Sequence, residues 1–179
     1  MKVNINKIKG VKTFNVDFFE DQRGFFFEAY KKKNYFKVNF LQDNISLSKK
    51  NVLRGLHYQI KKTQGHLITI IRGKIFDVVV DLRKSSPTFK DYASYEFSEK
   101  GDRQIFLPPG CAHGFQVLSK EALILYKCTN FYSPKDERGI LWSDPFLKID
   151  WPNNNPVVNE KDLKYPLLSD ILKNGDFFE

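Results

Sequence analysis

Leu67-Ile68-Thr69-Ile70-Ile71-Arg72-Gly73-Lys74-Ile75-Phe76-Asp77-Val78-Val79-Val80-Asp81-Leu82 is an Ile-rich run, a Gly-Lys break and then an alternating run. In the second run Phe76, Val78, Val80 and Leu82 share one face, and Asp77 and Asp81 lie on the other. That is the period of two that a pleated strand imposes. Two such runs around a short glycine-containing break read as a β-hairpin. Downstream, Phe89 to Phe97 is a weaker strand and Lys100-Gly101-Asp102 a turn. Ile105 to Leu107 is a strand stopped by Pro108-Pro109-Gly110. Phe115 to Leu118 and Leu123 to Cys128 read as the next strand pair, with Ile124, Tyr126 and Cys128 pointing the same way. Short, closely spaced strands with Gly/Pro turns predict an antiparallel sandwich or small barrel. Helix signals are confined to the ends. The best spans Lys164 to Lys173, where Leu167, Leu168, Ile171 and Leu172 recur at helical spacing.

The chain of 179 residues suits one domain, with a core over about 13–152 and a C-terminal extension over 153–179. Hydrophobic residues make up 41%, and 17 Phe with 8 Tyr favour strands over disorder. Lys plus Arg minus Asp plus Glu is 29 − 21 = +8, which favours anionic partners. Dense runs are limited to Lys31-Lys32-Lys33 and Lys49-Lys50. No zinc-finger, helix-turn-helix or RNA-binding motif accompanies them, so a small phosphorylated ligand suits the charge and no nucleic-acid partner is expected. Met1 to Lys12 lacks the apolar core of a secretory signal, and no window approaches the roughly 18 apolar residues of a membrane span. Cys111 and Cys128 have no framework spacing and read as small core residues in a reducing cytoplasm.

Chemistry centres on three histidines, His57, His66 and His113, each in a turn-rich string. The strings are Arg54-Gly55-Leu56-His57-Tyr58-Gln59, Gln64-Gly65-His66-Leu67 and Pro108-Pro109-Gly110-Cys111-Ala112-His113-Gly114-Phe115. Arg54 lies three residues before His57. A regular strand would put the two on opposite faces, but Gly55 permits a bend. An imidazole beside a phosphate-pairing guanidinium fits a nucleotide-sugar site. Three histidines could also hold zinc. The His-x-His pair of a metal-binding cupin is broken at His57-Tyr58-Gln59, and no Glu occurs between Glu28 and Glu96, which disfavours a metal-dependent oxygenase. No Gly-x-Ser-x-Gly, Walker or Gly-x-Gly-x-x-Gly string occurs, which disfavours the serine-hydrolase, P-loop and dinucleotide classes.

Longer strings carry a resemblance. They are Asp21-Gln22-Arg23-Gly24-Phe25-Phe26-Phe27-Glu28, Gln42-Asp43-Asn44 and Asn51-Val52-Leu53-Arg54-Gly55-Leu56-His57. Phe76-Asp77-Val78 with Asp81-Leu82-Arg83, Ser86-Pro87-Thr88-Phe89, Pro108 to Phe115, Leu125-Tyr126-Lys127 and Trp142-Ser143-Asp144-Pro145 follow. This ordered set, from about residue 13 to about 168, resembles the dTDP-4-dehydrorhamnose 3,5-epimerase family. The resemblance implies a mainly β, cupin-like antiparallel β-sandwich or jelly roll with short terminal helices. It implies a homodimer with strands exchanged between subunits, and no metal or cofactor. The implied reaction is proton abstraction beside the C4 ketone of a nucleoside-diphosphate 4-keto-6-deoxy sugar, then reprotonation from the opposite face. By position, His57 matches the general base, Asp162 the carboxylate that orients it, and Tyr126 the proton donor. Arg23, Glu28, Gln42, Asn44, Arg54, His113, Glu137 and Lys161 match nucleotide-sugar contacts, and Phe131 with Tyr132 an aromatic pair near the nucleobase.

His66 departs from the pattern, because rhamnose-pathway members generally carry Lys after Gln-Gly. That widens the substrate choice from a dTDP-linked hexose to a GDP-linked 4-keto-6-deoxy-heptose of capsule or lipopolysaccharide biosynthesis. The other readings are a single-centre epimerase or ketoisomerase on the same scaffold, and a non-catalytic sugar-nucleotide-binding module. A binding module would use Arg23 and Arg54 but needs no acid/base pair.

Overall fold

The computed structural model describes residues 2–35, 38–100 and 104–179. In chain order its strands are β1 (Lys2–Ile5), β2 (Lys12–Asn15), β3 (Phe18–Asp21), β4 (Gly24–Phe27), β5 (Gln42–Lys49), β6 (Leu53–Gln59) and β7 (His66–Arg72). Then come β8 (Lys74–Asp81), β9 (Tyr92–Ser98), β10 (Gln104–Leu107), β11 (Cys111–Val117), β12 (Glu121–Cys128) and β13 (Glu137–Gly139). One sheet has the order β1-β2-β10-β7-β12-β5 and the other β13-β6-β11-β8-β9, while β3 and β4 form a separate hairpin. All these pairings are antiparallel. The architecture is therefore the mainly β sandwich that the strand pattern implies.

The pairing of neighbours differs from the expectation. β7 and β8 do not form a hairpin: β7 lies between β10 and β12, and β8 between β11 and β9. Gly73, at φ +89°, carries the chain from one sheet to the other. A Cβ there would lie 2.1 Å from the Glu121 carbonyl oxygen, so the corner requires glycine. β11 and β12 likewise sit in opposite sheets. Adjacency in sequence predicts pairing only when the connection stays within a sheet, and jelly-roll connections cross between sheets. The turn expected at Lys100-Gly101-Asp102 falls, apart from Lys100, outside the described residues.

The core between the sheets joins Ile68 and Ile70 of β7, Ile105 and Leu107 of β10 and Ile124 of β12 to Ile75, Val79, Phe97, Phe115 and Val117. Each fully buried side chain of this size contributes about 1.5–3 kcal/mol. β8 is covered on both faces. Ile75 and Val79 look into the sandwich, and Asp77 and Asp81 share their parity. Val78, Val80 and Leu82 pack instead under Leu147, Trp151, Leu168 and Ile171 of the C-terminal segment. Cys111 and Cys128 are buried free thiols, as core residues would be.

The helix expected over Lys164–Lys173 is interrupted. A 3-10 turn covers Asp162–Lys164, and the α-helix, α1, spans Leu168–Asn174. Pro166 holds the preceding Tyr165 extended, at φ −64° and ψ 147°, so helix cannot pass through it. The docked C-terminal segment is what delivers Asp162 to the sheet.

Candidate active site

The inward rows that form the core at one end of the sandwich become polar at the other. On β7 the row runs Ile70, Ile68, His66, and on β12 it runs Ile124, Tyr126, Cys128. Opposite them, β11 continues from Val117 and Phe115 to His113. A cleft opens there between the sheets. Asn44, Ser46, His66 and Tyr126 line it from the six-stranded sheet, and Arg54, His57, His113 and Glu137 from the five-stranded one.

Arg54 and His57 reach the same cleft through an irregularity in β6. Opposite β11, His57 pairs with His113 and Arg54 with Phe115, so three steps along β6 match two along β11. That is a β-bulge. Gly55 makes it possible with φ +117°, and a Cβ on it would lie 2.5 Å from the Gly114 Cα. The bend that Gly55 permitted is thus present.

Asp162 completes the arrangement around His57. Its Oδ1 lies 2.9 Å from His57 Nε2, and its Oδ2 accepts the Gly55 N–H at 3.0 Å. The carboxylate is 1% exposed. Burial pushes its pKa up, but the hydrogen bond and charge of His57, the Gly55 amide and Lys161 outweigh burial and hold it below the ordinary carboxylate value. An ionised carboxylate only accepts, so Nε2 of His57 is the ring nitrogen that donates to it, and Nδ1 is turned away from it.

Across the cleft, the Tyr126 hydroxyl is 3.0 Å from Ser46 Oγ. Burial raises the Tyr126 pKa well above an ordinary phenol, outweighing the Ser46 hydrogen bond and Arg54, so the hydroxyl stays protonated. Arg54 is braced by its Nε donating to Ser48 Oγ at 2.9 Å.

His113 and His66 are fixed differently. His113 Nε2 lies 2.6 Å from Oδ2 of the fully buried Asp77. Gln64 donates through Nε2 to the Asn130 carbonyl at 2.8 Å, which presents its Oε1 to His66 Nε2 at 3.3 Å. An amide oxygen only accepts, so His66 carries its proton on Nε2 and offers a lone pair at Nδ1. Burial, then the neighbouring His113 and His57, pull the His66 pKa down to about 3. Among the described residues no three His, Cys, Asp or Glu side chains group as a metal site.

At the rim, Glu137 accepts from Lys161 Nζ (2.6 Å) and from the Tyr132 hydroxyl. Gln42 Nε2 donates to Asn44 Oδ1 at 3.0 Å, and its Oε1 takes the Tyr132 N–H at 2.8 Å. Phe131 and Tyr132 are exposed rings beside this rim. Arg23 and Glu28 do not line the cleft. Arg23 sits at the turn of the β3–β4 hairpin, bonded to Asp21, and Glu28 pairs with Lys31. Residues without an assigned role in the sequence also bear on the site: Ser46, Asp77, Gln64, Gly139 and Tyr165. Asp77 stood out as an acid in an apolar strand. Gln64 stood in the Gln-Gly string before His66, and Ser46, Gly139 and Tyr165 carry no signal outside the folded contacts.

The family profile of dTDP-4-dehydrorhamnose 3,5-epimerase matches residues 6–170. The chain belongs to this epimerase family. The dTDP-4-dehydrorhamnose 3,5-epimerase of Shigella flexneri is 48% identical over 169 residues, covering 91% of this chain and 93% of the relative. Among solved structures, the dTDP-6-deoxy-D-glucose-3,5-epimerase of Legionella pneumophila, in complex with dTDP-4-keto-L-rhamnose, superposes with a TM-score of 0.93. Its identity is 39%, covering 99% of this chain and 97% of that one. A 3'-monoepimerase from Streptomyces bikiniensis, in complex with dTDP-quinovose, superposes with a TM-score of 0.89 at 27% identity, covering 96% and 90%. These neighbours give the epimerase its place among cupin-type enzymes, and the isomerase class follows from the family. Among the described residues no helix of the epimerase is long and apolar enough to cross a membrane.

Proposed function

We propose that this epimerase inverts C3 and C5 of a dTDP-linked 4-keto-6-deoxy sugar through an enolate. One observation carries the reading: His57, held through Nε2 by Asp162, and Tyr126 project from opposite sheets into one cleft. Nδ1 of His57 takes the proton from the carbon beside the ketone. The C–H electron pair becomes the C=C of the enolate, and the carbonyl π pair moves to the C4 oxygen. The Arg54 guanidinium is a fixed donor for that oxygen. Tyr126 then returns a proton to the other face as the enolate collapses to the ketone, and solvent restores both groups. The same carbon leaves with inverted configuration.

The thymidine nucleotide is supported by relatives of up to 48% identity that carry the dTDP-sugar name and by the dTDP sugar in the Legionella neighbour. Arg54, Asn44, Gln42, Glu137 and Lys161 supply donors and acceptors for the sugar nucleotide, with Phe131 and Tyr132 beside the base. The neutral His66 favours keeping GDP-linked 4-keto-6-deoxy-heptose as the second substrate reading. Arg23 and Glu28 are assigned to the cleft of a second copy in a homodimer, since their hairpin leaves the cleft of its own chain.

The test is NMR of dTDP-4-keto-6-deoxyglucose in D2O with the purified enzyme. Deuterium should enter at C3 and C5. Entry at one carbon alone selects the single-centre reading, as in the 3'-monoepimerase neighbour. No exchange with dTDP, GDP, UDP or CDP 4-keto sugars would reject an epimerase. His57→Asn should lower the rate by at least about 10²-fold. Tyr126→Phe should still exchange but invert poorly, and normal product formation by it would remove the donor role.

A further inference from the structure

The His57 imidazole has two protein walls. Asp162 holds its Nε2 edge. The second wall is Tyr165, whose ring meets the imidazole edge-to-face, centroids 5.6 Å apart at 69°. Tyr165 is extended in the bend before Pro166, so its backbone is confined. Its seat is cut into β13. Gly139, the register partner of His57, faces the phenol ring, and a Cβ there would come within 2.5 Å of ring carbons. Gly139 has no positive φ, so its backbone does not demand glycine. The space for the Tyr165 ring demands it. The other end of the phenol donates to Glu137 Oε1 at 3.2 Å, the carboxylate that Lys161 and the Tyr132 hydroxyl also bind.

We propose that Tyr165 is a positioning residue for the reaction: its ring fixes the plane of the His57 imidazole, so that Nδ1 faces the cleft. The bend before Pro166 and the Gly139 seat hold that ring in place, and the bond of its hydroxyl to Glu137 is secondary to them. Asp162 alone contacts one edge and leaves the ring free to tilt about the Nε2 hydrogen bond. The edge-to-face contact restricts that tilt, because two rings hold this geometry in preference to a slipped or face-on one. Misplacing a reacting atom by an ångström can cost ~10²-fold in rate, so restricting the tilt protects kcat. The proposal rests on the reading of His57 as general base.

The experiment compares Tyr165→Phe, Tyr165→Leu and Gly139→Ala with the wild-type enzyme and His57→Asn. It measures kcat, KM and the pH dependence of kcat/KM, with thermal melts alongside. Tyr165→Leu should lower kcat by ~10- to 100-fold, raise KM much less, and shift the acidic limb of the profile. Tyr165→Phe keeps the ring and should restore kcat and the limb to within about twofold. Gly139→Ala alters no cleft group yet displaces the ring, so it should reproduce the Leu signature. Wild-type kcat and pH limb in folded Tyr165→Leu would overturn the proposal, and so would a kcat loss that Phe fails to restore. Should the Leu variant not fold, wild-type kinetics in folded Gly139→Ala overturns it. Activity surviving in His57→Asn would instead reject the general-base reading.

Discussion

At His66 the proton is on Nε2, because that nitrogen faces an amide oxygen whose own nitrogen is committed to Asn130. The cleft therefore gains a neutral acceptor at this position, suited to a sugar hydroxyl and not to an enolate oxygen. With a folded pKa of about 3 against an ordinary 6.5, the unfolded chain binds more protons between those values. Stability should then rise with pH across that window, and the contribution should be lost as pH falls below about 6.5. His66→Gln should flatten this part of the curve. Urea unfolding at pH 5 and pH 7 measures it, and an unchanged slope in the variant would contradict a neutral His66. In the wild-type protein, long-range ¹H–¹⁵N spectra should show one protonated and one bare ring nitrogen at pH 5 as at pH 7.

At the scale of the element, β6 does what a regular strand cannot. Its bulge against β11 turns Arg54 and His57 to one face, and Gly55 is the residue that permits it. Gly55→Ala would meet Gly114 and the His113 carbonyl at 2.5–2.6 Å and force an L residue to φ +117°. The backbone term alone costs of order 1–3 kcal/mol, and each kcal/mol lowers Tm by roughly 2–4 °C in a protein of this size. The folded fraction should also lose most activity, since His57 and Arg54 lose their common face. A melt and a rate measured on the same sample check both. This element also marks how far the sequence could be read. Strand alternation, the stop at Pro108-Pro109-Gly110 and the inward set Ile124, Tyr126, Cys128 are local properties, so they were legible. The bend at Gly55 was legible as a possibility, but its register depends on Gly114 in another strand. The β7–β8 hairpin was misread because a glycine turn within a sheet and a glycine corner between sheets share one local pattern. Tyr165 gave no signal because its role comes from Gly139 and Glu137, more than 20 residues away. Spacing from Arg54 marked His57 alone, while the catalytic roles of His57, Tyr126 and Asp162 came from the match to the family.

At the scale of the whole molecule, apolar side chains are left exposed on β5 and on the β3–β4 hairpin. β5 is an edge strand carrying Ile45 (71% exposed) and Leu47 (58%), and the β3–β4 hairpin presents Phe19 (64%) and Phe26 (70%). Exposed apolar side chains of this size suit an interaction surface, and an open strand edge is a template for pairing. A two-fold dimer would place the same hairpin in each partner's neighbourhood. That gives Arg23, whose side chain is 89% exposed, a cleft to reach. The consequence is testable by mixing two inactive proteins. Arg23→Ala lacks the guanidinium that it would donate, and His57→Asn lacks the base in its own cleft. In a mixed dimer, the cleft holding a native His57 would face the native Arg23 of the other chain. After unfolding and refolding equal amounts together, random pairing should recover about a quarter of wild-type activity. If Arg23 serves the cleft of its own chain, every cleft lacks one group and the mixture stays inactive. Sedimentation of the same mixture as dimers would show that such inactivity comes from the placement of Arg23 and not from a failure to pair.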